Sequence, residues 1–264
     1  TPIPRTLALT LYGDLDISLI KEKPLGRKDI KTFLVPDNKR QDAYKFILDK
    51  IKNKEQVFVI CPLIDENDKL GLKSVTAEYK KLNKDIFPDL DIRMIHGKLK
   101  SKTKEKIMED FKNNKFPILV STSVIEVGVD IPRATIMLIE SAERFGLSQL
   151  HQFRGRIGRN DMESFCMLFT SDDSKMNTSR LQALSKTDNG FELADLDLEL
   201  RGSGDIFGNN QTGLIKLKIA KLSEVNLIKK AQKWAKEILT DKKYLNRKDL
   251  QKIIDSLKTE AHLE

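Results

Sequence analysis

Two stretches of this 264-residue chain carry side chains in spacings that can hold an anion. The denser is 149–159, Gln-Leu-His-Gln-Phe-Arg-Gly-Arg-Ile-Gly-Arg. Arg156 and Arg159 are three apart, so on a helix they share a face and their guanidinium groups can converge on one phosphate. Gly155 and Gly158 repeat that spacing and leave room for close backbone approach. Each glycine costs a helix roughly 1 kcal/mol, which a basic surface helix with incidental glycines would lose for nothing. His151, alone in that stretch, reads as a packing or hydrogen-bonding group rather than an acid–base catalyst. The second stretch is 118–132, Ile-Leu-Val-Ser-Thr-Ser-Val-Ile-Glu-Val-Gly-Val-Asp-Ile-Pro. Its apolar run ends in Ser121, Thr122 and Ser123, where hydroxyls and free amides can hold a phosphate of a nucleotide or of a DNA backbone. Gly128 and Asp130 follow, and Asp130 can accept from a ribose hydroxyl or pair with an arginine. Taken alone, the stretch equally fits an N-cap cluster and a turn.

Such groups need a scaffold, and the flanking pattern supplies one. Short apolar runs at 30–35, 56–61, 91–95, 117–122, 134–140 and 164–170 read as strands buried on both faces. Amphipathic helices are expected between them at 40–53, 75–86, 102–113 and 147–156, with Ser101 as the N-cap of the third. This alternation predicts an α/β fold with a doubly wound parallel sheet, whose ligands bind at the carboxyl ends of the strands. After 170 the pattern turns helical, at 174–187, 224–240 and 246–259. The glycine-rich stretch 189–213 reads as a structured loop, because it also carries Phe191, Leu196, Leu198, Leu200, Ile206 and Phe207.

Composition narrows the classes. The net charge of +8 and a pI near 9.2 favour a polyanionic partner, although a lysine-rich proteome gives the same balance. The charge is uneven: an acidic stretch around 171–215 separates two basic parts, and its carboxylates at 192–199 are expected to face protein, such as the 149–159 arginines, rather than phosphate. Cys61 and Cys166 sit in apolar runs and read as core thiols, and no cysteine–histidine spacing suggests a metal. No 18-residue apolar run is present, so no membrane partner is expected. The opening Thr-Pro-Ile-Pro reads as an interior cut.

The two anion-binding stretches resemble motifs V and VI of the superfamily 2 helicases. His96-Gly97 is similar to the preceding motif of that family, and residues 1–6 to the tail of motif III. Gly26-Arg27-Lys28, Cys61-Pro62-Leu63-Ile64-Asp65-Glu66, the run 143–152, and Glu199-Leu200-Arg201-Gly202-Ser203-Gly204-Asp205 with Gln211 narrow the resemblance to the RecG family. The resemblance implies a RecA-like (P-loop NTPase-like) second helicase lobe on a central parallel sheet at 26–172. It implies the tail of a first lobe at 1–25, and a helical hairpin, translocation loop and C-terminal helices at 173–264. The implied protein is an ATP-dependent DNA helicase of the bacterial cytoplasm and nucleoid, a duplex translocase that remodels stalled forks and Holliday junctions in repair and recombination. ATP and Mg2+ are then held mainly by the first lobe. Arg159 matches the arginine that reaches the γ-phosphate and Arg156 its companion, with Gln152, Gly128 and Asp130 on the nucleotide side. Thr122, His96 and Gly97 match DNA-facing positions. Arg201, Gly202 and Gln211 fall in the segment that couples ATP turnover to translocation, supported by the helices at 174–187 and 224–240. The implied partners are branched double-stranded DNA and the first lobe and N-terminal wedge domain of the same protein.

The chain departs from the family wording at Asn209-Asn210, where a Thr-Arg pair is common, and at Phe153, where leucine is common. It contains no G-x-x-x-x-G-K-[ST] loop and no Asp-Glu-x-His box, so by itself it is expected to lack ATPase activity. Two alternatives stay open: a transcription-repair coupling translocase of the Mfd family, and a non-enzymatic basic module that contacts phosphates only.

Overall fold

Six apolar runs become six strands of one parallel sheet. A computed structural model describes residues 28–62, 72–122, 131–170, 175–201, 225–240, 247, 250 and 251. The strands are β1 (Lys31–Val35), β2 (Gln56–Ile60), β3 (Ile92–Ile95), β4 (Ile118–Ser121), β5 (Ala134–Ile139) and β6 (Phe165–Phe169), in the order β1-β6-β5-β2-β4-β3. All are parallel, so the intervening helices cross over and cover both faces.

Alternation along each strand divides the core in two. Val57 and Val59 of β2 point to one face with Ile118, Val120, Ile136 and Leu138. Phe58 and Ile60 point to the other with Leu119, Met137, Ile139 and Leu168. The first face is covered by α1 (Arg40–Lys52), through Ala43, Tyr44 and Ile47, and by α2 (Leu72–Lys81), which runs into a π-helical turn at Leu82–Ile86. The second face is covered by α3 (Ser101–Lys112), α4 (Leu147–Arg154), α5 (Lys175–Lys186) and α6 (Gly190–Arg201). Both cysteines lie in this core, one to each face, and burial raises both thiols, Cys166 to about 12.

The chain forms two compact units. The described residues up to Leu200 belong to the first; Arg201 and α7 (Val225–Thr240) belong to the second. Taken by itself, α7 is amphipathic and leaves Leu227, Trp234 and Leu239 exposed. Of the helix expected at 246–259, only 247, 250 and 251 fall within the described residues.

Three expectations need correcting. Ser101 is the first residue of α3 rather than its cap; the N-cap is Lys100, whose side chain has no acceptor to offer the first-turn amides. The first half of the expected loop 189–213 is helix α6, held by Leu193 and Ala194 in the core; Asn189 Oδ1 accepts the Phe191 amide at its start. The helix expected to reach 156 ends at Arg154, with Gly155 as its C-cap.

At the carboxyl end of β5 the buried Glu140 carboxylate lies 3.0 Å from Arg40 Nη1 and 3.7 Å from Lys81 Nζ, while Glu78 holds Lys81 at 3.1 Å. Desolvation, and then the neighbouring Glu78, push Glu140 up to about 7. Raised above its unfolded value, Glu140 contributes stability that is full below about pH 4.3 and lost as pH rises through 7. Relative to Glu140→Gln, the native chain is therefore expected to lose about 3 kcal/mol between pH 4.5 and pH 8. Urea unfolding of both proteins across that range measures it. A constant difference would mean that Glu140 stays ionised throughout.

Candidate functional site

Of the residues singled out from sequence, the described ones up to Leu200 occupy two separate places on the lobe. One lies at the carboxyl edge of the sheet. Ile95 of β3 is in register with Ser121 of β4, which brings His96 beside Thr122 where the two strands end. Both are buried, and Ser121 Oγ donates to the Thr122 carbonyl at 2.8 Å. The chain turns at Gly97, with the Leu99 amide donating to His96 O at 3.2 Å, and enters α3 without a side-chain cap. The Thr103 amide donates to the Lys100 carbonyl at 2.9 Å, which leaves the Ser101 and Lys102 amides of the first turn to offer to an anion, with Lys98, Lys100, Lys102 and Lys104 close in sequence. Burial, then Lys104 and Lys98, lowers the His96 pKa, so the imidazole is neutral at pH 7. Its Nδ1 is buried without a partner among the described residues, one hydrogen bond short.

The other place lies beyond the C-terminus of α4, ahead of β6, and so towards the amino ends of the strands. Strands of this length separate the two places by roughly 15 Å along the sheet. The expectation that all ligands meet at the carboxyl edge is therefore corrected for the arginines. They are not helix neighbours either. Past Gly155 the chain turns, the Arg156 amide donating to Phe153 O at 2.9 Å and the Ile157 amide to Arg154 O at 3.3 Å. Ile157 is fully buried, Gly158 adopts φ +70°, and Arg159 emerges exposed. Arg156 is half-buried, and no side-chain hydrogen bond or ion pair joins it to another described residue. Gln152, one turn earlier on α4, is also half-buried.

Gly128, Asp130, Gly202 and Gln211 lie outside the described residues, as does Ser123. Arg201 closes α6. The motif V stretch is described again from Ile131, which is buried, and Pro132.

Comparison with known proteins gives this arrangement its family. Residues 38–161 match the family described as the helicase conserved C-terminal domain. Residues 187–261 match the one described as ATP-dependent DNA helicase RecG, domain 3, C-terminal. The ATP-dependent DNA helicase RecG of Aquifex aeolicus is 47% identical over 262 residues, covering 96% of this chain and 33% of the relative. That of Bacillus subtilis is 47% identical over 221 residues, covering 83% and 32%. A solved structure of RecG bound to a three-way DNA junction is 41% identical with a TM-score of 0.68, covering 86% of this chain and 29% of that one. The chain belongs to the RecG helicase family. It spans about a third of the length of the curated RecG relatives it matches.

Within this RecG-family lobe, two arginines that sequence reading gave no role stand out. Arg154, at the end of α4, is almost fully buried. It donates to Leu184 O at 2.6 Å and Thr187 O at 3.1 Å, meets His151 Nδ1 at 3.0 Å, and pairs with Asp188 at 3.1 Å. It therefore caps the C-terminus of α5. Arg180 of α5 reaches back to Phe145 O at 2.8 Å and to Glu143 O, just ahead of α4. Of the acidic stretch, Asp197 lies 4.0 Å from Arg180, and the exposed Glu192 accepts from Thr187 and Asn189. Motif VI spacing draws the eye to the two solvent-facing arginines; the buried third acts through carbonyls some thirty residues away, which no local pattern reveals.

Proposed function

We propose that this chain is the C-terminal motor half of an ATP-dependent duplex-DNA translocase that remodels branched DNA, including stalled forks and Holliday junctions. The separation of two phosphate-ready surfaces on one RecA-like lobe, in a member of the RecG family, carries the reading. A motor lobe must touch nucleotide and DNA at different places and move one against the other. The RecG structure bound to a three-way junction supports branched DNA as the partner.

In this reading Arg159 reaches the γ-phosphate of ATP held by the first lobe, and Arg156 assists. Gln152, Gly128 and Asp130 complete the nucleotide side. His96, Gly97 and Thr122, with the uncapped start of α3, hold a DNA backbone phosphate. The neutral imidazole of His96 gives its hydrogen bond through Nδ1, the atom left without a partner. Arg201, Gly202 and Gln211 couple turnover to translocation. The domain division at 25–26 and 172–173 and the nucleoid location belong to the same proposal. Among the described residues no helix is long and apolar enough to cross a membrane.

Mg2+ does not fit the described residues: no three carboxylate, histidine or cysteine side chains come together. In this reading the first lobe would hold the ion, which would supply positive charge beside the phosphates.

The test compares the complete protein with residues 1–264 alone. The complete protein is expected to hydrolyse ATP in a junction-dependent manner, and the chain alone to show no turnover above a vector-control preparation. His96→Ala in the complete protein is expected to weaken junction binding by about 1.5 to 3 kcal/mol, the cost of one lost hydrogen bond to a charged group. Turnover by the chain alone would contradict the division of labour. Salt-sensitive DNA binding by a complete protein that never hydrolyses ATP would leave a basic binding module.

A further inference from the structure

Asn160 follows Arg159 directly, and its side chain makes two hydrogen bonds. Its Nδ2 donates to the carbonyl of Pro132, and its Oδ1 accepts the Met162 amide at 3.0 Å. The first bond crosses 28 residues and joins the end of motif VI to the end of motif V. The motif V end is itself rigid: Ile131 is buried, the Ala134 amide donates to Ile131 O at 3.0 Å, and Arg133 O accepts the Gln56 amide of β2 at 2.7 Å. On the other side of Arg159, the backbone is held by buried Ile157 and by Gly158 packed on Ile30.

From this juxtaposition we infer that Asn160 is a positioning residue: it sets the distance between the Arg159 backbone and the motif V segment that ends at Pro132. Pro132 is two residues past Asp130, and Asn160 is one past Arg159, so a single amide-to-carbonyl bond ties together two segments assigned to the nucleotide. The inference rests on the motor reading above. Arg159 has a long side chain, and an arginine that must meet a transferring phosphoryl group loses rate steeply with misplacement. Displacements near 1 Å cost up to about 100-fold. Asn160 touches no substrate and acts only by fixing where that side chain begins.

Asn160→Asp separates its two bonds. The aspartate still accepts the Met162 amide but has no proton for the Pro132 carbonyl. Asn160→Ala loses both. In the complete protein, both variants are expected to lower junction-stimulated kcat by about ten- to 100-fold. KM for ATP and junction affinity should change little, and the thermal unfolding midpoint should stay at the native value. A native kcat for Asn160→Asp beside a defective Asn160→Ala would show that only the local turn matters, and would overturn the inference. So would a loss of kcat that merely tracks a lowered unfolding midpoint, or one that appears wholly in KM. Arg159→Ala measured in parallel keeps the two readings apart: if it retains full ATPase activity, the motor assignment of Arg159 fails on its own account, whatever Asn160 does.

Discussion

Arg159→Ala in the complete protein is expected to reduce junction-stimulated ATP turnover by about 10³-fold or more while leaving junction affinity nearly unchanged. The size follows from what an arginine does at a transferring phosphoryl group. It supplies a fixed positive charge and planar donors where negative charge develops, and it acts in a closed site where such charge is poorly screened. The selectivity follows from geometry. Arg159 stands beyond α4, towards the amino ends of the strands, whereas His96 and Thr122 stand at the carboxyl ends of β3 and β4. Removing one surface leaves the other intact. Arg159→Lys is not a rescue, because an ammonium cannot present the fork. It should recover only a small part of the rate. Loss of junction binding with intact ATPase would reverse the two surfaces and defeat the assignment. ATP hydrolysis by rapid quench and junction binding by fluorescence anisotropy, on the same preparation, decide it.

The strands were legible because both faces of the sheet are buried. Val57, Phe58, Val59 and Ile60 are all apolar whichever way they point, and such a run needs no knowledge of its partners. Helix ends were less so. Ser101 has the right chemistry for a cap, but the helix begins one residue early and takes Lys100 as its boundary, since cap geometry depends on how the chain leaves His96. Residues 189–201 read as loop because glycines at 190, 202, 204, 208 and 213 crowd the stretch. The helical face is instead carried by Leu193 and Ala194, with Leu196 packed beside them. The spacing of Arg156 and Arg159 suggested a shared helical face, which the end of the helix at Arg154 rules out. They are held together by a turn that buried Ile157 anchors, not by a helical face. Arg154, Arg180 and Asn160 escaped notice because their partners are backbone carbonyls, and a carbonyl has no letter in the sequence.

The two glycines of motif VI, three residues apart, are expected to respond oppositely to alanine. At Gly155 φ is −66° in the right-handed helical region, and an added Cβ would meet nothing nearer than the Gln152 carbonyl oxygen at 3.4 Å. Gly155→Ala should therefore be neutral or stabilising by up to about 1 kcal/mol, the ordinary gain of replacing glycine in helical backbone. At Gly158 φ is +70°, and the new Cβ would lie 3.1 Å from Ile30 Cγ1 and 3.3 Å from its Cδ1. The left-handed conformation alone costs an L-residue roughly 1–2 kcal/mol, and the crowding against Ile30 adds to it. Ile30 cannot easily yield, because it packs against the core at the start of β1. Gly158→Ala should thus destabilise the lobe by about 2–3 kcal/mol. It should also lower kcat in the complete protein, since relaxing φ moves Arg159. The two causes are separable. In an Ile30→Ala background the contact is gone and only the conformational cost should remain, near 1–2 kcal/mol by urea unfolding. A Gly158→Ala penalty that vanishes in that background would mean the backbone there is not left-handed. A penalty unchanged by Ile30→Ala would mean conformation accounts for all of it. Either way, the close approach that the paired glycines suggested belongs to Gly158 alone, and Gly155, the C-cap in right-handed backbone, has no need of a glycine.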